Sequence, residues 1–129
     1  MIRVLLADDH AIVRDGLKLI MADTDDLVVC GEACNGTELM SMIAAEEFDL
    51  LVLDISMPGR NGLELIKLVR KERRHLPILV LSMHKEEQYA LRALRAGASG
   101  YVTKESHGEV LVAAMRKVAG GGVFASCHV

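Results

Sequence analysis

Cysteine is scarce in this chain and poorly arranged for any structural bond. The three thiols, Cys30, Cys34 and Cys127, are an odd number without metal-type spacing. They argue against a disulfide framework and read as reduced thiols in a cytosolic protein. The five histidines are scattered, with no paired helical spacing for zinc. Basic charge is not in excess. Lys and Arg number 15 against 18 Asp and Glu, a net charge of −3, so no chain-wide field attracts nucleic acid. No apolar run approaches membrane-spanning length. Arg3 is followed by only four apolar residues before two acids, which is not the pattern of a secretory leader. Internal repeats and low-complexity segments are also lacking.

What is present suits one soluble domain. The chain has 129 residues, 51% hydrophobic and 26% charged, enough to bury a core. Its most informative stretch is Leu50-Leu51-Val52-Leu53-Asp54-Ile55-Ser56-Met57-Pro58-Gly59. A short apolar run reads as a strand buried on both faces. It ends in one carboxylate, and a turn signal follows at once. Asp54 therefore belongs at the C-terminal end of a strand, where open α/β sheets bind ligands.

The rest of the chain repeats strand and helix. Ile2 to Ala7 is a strand that stops at Asp8-Asp9, and Val13, Leu17, Ile20 and Met21 form one helical stripe. Leu27 to Gly31 is a second strand. Asn35 and Glu38 have the spacing of a capping box, with Glu38 reaching back to the Asn35 amide. The helix they open carries Leu39, Met42 and Ile43 and runs to about Glu47. The third strand starts near Asp49. Asn61 and Glu64 repeat the cap and open a helix with Leu65, Ile66 and Val69. That helix ends in Arg70, Lys71, Arg73 and Arg74, a solvated basic terminus. Pro77 precedes a fourth strand, Ile78 to Leu81, which ends at Ser82. A fourth helix covers about Lys85 to Ala96 and stops at Gly97, a C′ glycine. The fifth strand, Gly100 to Thr103, ends at Lys104. Ser106 and Glu109 give a third capping box before the stripe Leu111, Ala114, Met115 and Val118. Gly120-Gly121-Gly122 closes that helix. Residues 121–129 are expected to be the start of a linker or a C-terminal tail. Cys30 reads as a packed thiol, Cys34 as a loop thiol, and most methionines as core.

Strands alternating with helices imply an α/β fold, a doubly wound parallel sheet covered on both faces. Five strands favour the order 2-1-3-4-5, with the first and third flanking the switch point. Asp8 and Asp9, Asp54, Ser82 and Lys104 then converge on one edge of the sheet. Three crowded carboxylates repel one another unless a cation lies among them. Two carboxylates, a backbone carbonyl and waters suit octahedral Mg²⁺. The joint chemistry is phosphoryl transfer, in which cations and donors stabilise the charge spread over the phosphoryl oxygens. Asp54 is the nucleophile in that scheme. Mg²⁺, Lys104 and the Ser82 hydroxyl each take one phosphoryl oxygen. His10, beside the acid pair, reads as a polar residue leading into the first helix.

With Met57-Pro58-Gly59 after the central acid, the set Asp8-Asp9, Asp54, Ser82 and Lys104 resembles the receiver domain of two-component response regulators. The resemblance covers residues 2 to about 120. Leu-Ala-Asp-Asp-His at 6–10, Gly-Glu-Ala at 31–33, Gly-Ala-Ser-Gly-Tyr at 97–101 and Lys104-Glu105-Ser106 resemble the LuxR/NarL/FixJ-type subfamily. The resemblance implies a flavodoxin-like (CheY-like) three-layer α/β/α receiver over residues 1–120. It implies Asp54 as phospho-acceptor. Asp9, Asp54 and the Ser56 backbone carbonyl would bind Mg²⁺ directly, and Asp8 would help through water. Ser82 becomes the switch hydroxyl, Tyr101 the switch aromatic, and Lys104 the partner of the phosphoryl group. Glu105 replaces a proline common in receivers, and Met83 stands where many relatives have a small residue.

The function implied is a cytoplasmic signalling switch, not a turnover enzyme on external substrates. A sensor histidine kinase would donate the phosphoryl group, and homodimerisation would follow. DNA would be bound only through a C-terminal helix-turn-helix output domain absent from this chain, which is expected to be either a cut receiver or a single-domain form. No membrane contact is expected. One alternative is a Mg²⁺-dependent aspartyl-phosphate phosphohydrolase, but such enzymes place a second acid two residues after the nucleophile, where this chain has Ser56. Another is a phosphate-independent interaction module, against which the complete acid–serine–lysine set argues.

Overall fold

The computed structural model describes residues 1–55, 62–82, 87–104 and 108–125. The expected turn at Met57 to Gly59, the Ser56 carbonyl, the caps Asn61 and Ser106, and Met83, Lys85, Glu105 and Cys127 lie outside them.

The elements alternate as expected: β1 (Ile2–Ala7), α1 (Ala11–Ala22), β2 (Leu27–Ala33), α2 (Gly36–Ala45), β3 (Leu50–Asp54), α3 (Gly62–Glu72), β4 (Ile78–Ser82), α4 (Glu87–Ala96), β5 (Gly100–Thr103) and α5 (Gly108–Ala119). All pairings are parallel. The strand order is 2-1-3-4-5, and a sixth strand is added beyond β5. Because the chain runs outward from β1 in both directions, the β1/β3 boundary is the switch point.

Strand alternation sorts the core into two layers. Leu5, Leu51, Leu53, Val80 and Tyr101 pack with Leu39, Ile66 and Ala93, toward α2, α3 and α4. Val4, Leu6, Val52, Leu79 and Val102 pack with Leu17, Met21, Leu111 and Met115, toward α1 and α5. Every residue of β3 and β4 is buried, which accounts for their unbroken apolar runs.

Several local expectations are corrected. β2 continues two residues past Gly31, to Ala33. Its pairing with β1 skips Cys30, a bulge that leaves this thiol half-buried. The Asn35 side chain caps α2 by accepting from the Glu38 amide at 2.9 Å, but the Glu38 carboxylate accepts from the Cys34 amide at 2.7 Å, not from Asn35. α2 stops at Ala45, short of Glu47. Gly97 does end α4 with φ +123°, a conformation that an L side chain strains to adopt.

The basic end of α3 is not merely solvated. Arg70 donates from Nε and Nη2 to the Gly97 carbonyl at 3.1 and 2.6 Å. Its Nη1 reaches the carbonyls of Arg73 and Arg74 at 3.2 and 3.0 Å. Arg73 donates from Nε to the Ile43 carbonyl at 2.9 Å. The C-terminal carbonyls of α2, α3 and α4 lack helical partners, and these two guanidinium groups supply them. Part of the expected tail is also ordered. Phe124–Ala125 forms β6, pairing with Gly100 and Tyr101 of β5. β5 is therefore not the edge of the sheet at Tyr101.

Candidate functional site

The site lies where β1, β3 and β5 end. Parallel strands in register bring their C-terminal residues to one edge, and alternation sets the direction of each side chain. Asp8 and Asp54 are 2% and 1% exposed, while the Asp9 side chain is 28% exposed. Lys104, first residue after β5, runs back over the edge. Its Nζ lies 3.1 Å from Asp54 Oδ2 and 3.3 Å from Asp8 Oδ2. The Lys104 amide donates to the Ser82 carbonyl at 2.8 Å, which anchors the residue to β4.

Sequence reasoning grouped Asp8, Asp9, Asp54, Ser82 and Lys104. Contacts between side chains bring Asp8, Asp54 and Lys104 together, with Asp9 at the rim. Ser82 is wholly buried at the end of β4, in register with Thr103. By alternation it shares the side of β4 that carries Ile78 and Val80, the layer in which Tyr101 is wholly buried. Ser56 cannot be placed, since it lies outside the described residues.

Two residues were missed as members. His10 precedes α1, and its Nδ1 lies 3.1 Å from Asp8 Oδ1, 3.1 Å from Asp9 Oδ1 and 3.8 Å from Asp54 Oδ2. Its backbone amide donates to Asp8 Oδ1 at 2.8 Å. Arg14, one turn into α1, donates to the Asp8 carbonyl at 2.6 Å and is held in turn by Glu32 at 3.2 Å. The available signal was positional: the first turn of a helix after an acid pair must face back over the strand end.

Ligand atoms of Asp8, Asp9, His10 and Asp54 lie within 4.8 Å of one another. Three carboxylates face one lysine ammonium here, an imbalance that a divalent cation would correct. Hard carboxylate oxygens fit Mg²⁺. The arrangement sets a nearly buried carboxylate against a fixed ammonium, a pairing that suits chemistry in which negative charge develops. Among the described residues no helix is long and apolar enough to cross a membrane.

This fold and edge define a class. Residues 4–116 match the family model described as the response regulator receiver domain, and the chain belongs to that family. It is 36% identical over 122 residues to the transcriptional regulatory protein YdfI of Bacillus subtilis (strain 168), which covers 95% of this chain and 57% of that protein. It is equally 36% identical, over 123 residues, to the nitrate/nitrite response regulator protein NarL of Escherichia coli (strain K12), covering 95% and 57%. The chain thus spans a little over half the length of these curated relatives. A crystal structure of a LuxR-family two-component response regulator from Aurantimonas sp. SI85-9A1 superposes with a TM-score of 0.91 at 34% identity, covering 96% of this chain and 89% of that one. The chain is a receiver domain of the LuxR/NarL type.

Proposed function

We propose that this receiver is a phosphorylation-dependent switch in which Asp54 accepts a phosphoryl group from a sensor histidine kinase. The observation that carries the reading is the buried Asp54 carboxylate with Lys104 Nζ 3.1 Å away and two further acids beside it. An Asp54 oxygen forms the new P–O bond as the bond from phosphorus to the donor breaks. Lys104, now on Asp54 Oδ2, transfers its contact to a phosphoryl oxygen. Asp9, Asp54 and the Ser56 carbonyl would hold Mg²⁺, with Asp8 assisting through water. That ion supplies charge neutralisation at the phosphoryl oxygens.

The phosphoryl group adds a charge of about −1.5 to −2. Ser82 is drawn to it, and Tyr101 follows within the layer both share. Tyr101 packs with Ala90 and Ala93 of α4, so a local charge event can bias two packings of the face formed by α4, β5 and α5. Homodimerisation and control of transcription through a DNA-binding output domain would be the readout, in the cytoplasm. In this reading the chain assists its own phosphorylation and dephosphorylation and does not turn over external substrates.

Intact-protein mass after incubation with acetyl phosphate tests the proposal. One phosphoryl group should be gained with Mg²⁺, none without it, and none in Asp54→Ala. Phosphorylation that persists in Asp54→Ala would place the acceptor elsewhere and overturn the assignment.

A further inference from the structure

Among the ligand-bearing residues of the cluster, His10 has no part in the phosphoryl transfer proposed above. Its backbone is held beside Asp8. Its own amide is fixed to Asp8 Oδ1, and the Asp8 carbonyl is fixed to Arg14. The imidazole is 58% exposed, whereas the Lys104 side chain is only 9% exposed. The Asp8 carboxylate divides between them: Oδ1 faces His10 and Oδ2 faces Lys104.

The spacing of Nδ1 is informative. On an octahedral ion with bonds of about 2.1 Å, neighbouring donors sit about 3 Å apart and opposite donors about 4.2 Å apart. Nδ1 lies 3.1 Å from an oxygen of Asp9, the neighbouring distance for two donors on one ion, and 3.1 Å from Asp8 Oδ1, which in the proposed site reaches the ion only through water. Its 3.8 Å to Asp54 Oδ2 falls between the two values. A pure oxygen set suits Mg²⁺, whereas an imidazole nitrogen favours first-row transition ions.

We infer that His10 is a nitrogen ligand of this site and shifts its selectivity from Mg²⁺ toward divalent ions such as Mn²⁺ and Co²⁺. The inference rests on the reading of the acidic cluster as a divalent-ion site. Under it, the receiver accepts phosphate with either class of ion and holds the transition ion more tightly. A ring that only hydrogen-bonds Asp8 would leave selectivity untouched.

Binding separates the two. Mg²⁺ and Co²⁺ are titrated calorimetrically into the full chain, His10→Ala and His10→Phe at pH 8. Co²⁺ affinity should fall about tenfold in both variants, the scale of a lost contact at a metal site, while Mg²⁺ affinity stays within about twofold. Pulsed electron paramagnetic resonance of the Mn²⁺-loaded chain should show nitrogen modulation that disappears in His10→Ala. Equal loss for both ions, or an unchanged ratio with no nitrogen modulation, would overturn the role of His10 and leave the ion site standing. Failure of the unsubstituted chain to bind either ion would overturn both readings.

Discussion

The two ends of the sheet use cations differently. At the N-terminal edge, Arg70 and Arg73 are occupied by backbone carbonyls of Gly97, Arg73, Arg74 and Ile43. Each contact satisfies an acceptor that a helix C-terminus leaves without a partner. At the C-terminal edge, Lys104 faces Asp8 and Asp54, with Asp9 close by, so acids outnumber the ammonium. One edge pairs its cations with neutral acceptors, and the other is left short of positive charge. The first edge ties helices together, and the second gathers more carboxylates than its one ammonium can offset. The difference is in what each cation faces, not in residue type.

The largest effect should come from removing the cation where it is already short. Lys104→Met leaves two nearly buried carboxylates without their ammonium, and stability without divalent ions should fall by about 3 kcal/mol. Denaturant midpoints with and without Mg²⁺ check this. Mg²⁺ should restore more stability to the variant than to the unsubstituted chain, since only the ion-binding state gains. Equal gains would mean that the edge is not short of positive charge. Arg70→Ala should cost about 2 kcal/mol, because three carbonyls lose a charged donor but partly regain water. Hydrogen exchange should quicken around Gly97 and Ala98. Arg70→Lys should not rescue it, since an ammonium cannot bridge both helix ends. Asp54→Asn should act in the opposite direction. Relieving one crowded acid should raise stability by about 1 kcal/mol in the absence of divalent ions, at the cost of function. A comparable loss would mean that attraction to Lys104 outweighs repulsion among the acids, and the contrast between the edges would weaken.

The fold was legible because its signals are local and repeated. Apolar runs of one strand length, the Asn35 cap and Gly97 each point to one element. Their alternation leaves few topologies, and the right-handed crossover rule prunes the rest. Asp8, Asp54 and Lys104 were legible because each ends a strand or follows directly on one, and parallel strands end together. What escaped depends on side-chain reach. Arg70 spans 27 positions to Gly97, and nothing in a basic helix end distinguishes that reach from solvation. β6 was hidden by its two-residue length and the glycines before it. His10 was read as a lead-in to α1, which is correct for its backbone. The direction of its ring depends on how α1 crosses the strand end, and spacing along the chain does not encode that angle.

The smallest effect tests the same contrast away from both edges. Asp26, in the turn before β2, receives two bonds from Arg116 of α5, from Nε at 3.0 Å and Nη2 at 2.9 Å. Charges here are balanced but about half exposed. The hydrogen bonds from Arg116, helped by its charge, hold the Asp26 carboxyl below the ordinary carboxylate range, against a smaller upward push from burial. A carboxyl depressed in the folded state stabilises above its unfolded value and loses that contribution as pH falls through its folded value. Arg116→Ala should therefore be slightly less stable than the unsubstituted chain at neutral pH. The difference should vanish in strong acid and shrink in high salt. Carboxyl-carbon NMR should show Asp26 titrating at higher pH in the variant. An unmoved Asp26 would mean that a balanced pair in solvent does no electrostatic work, and that burial distinguishes the Lys104 cluster as much as its excess of acid.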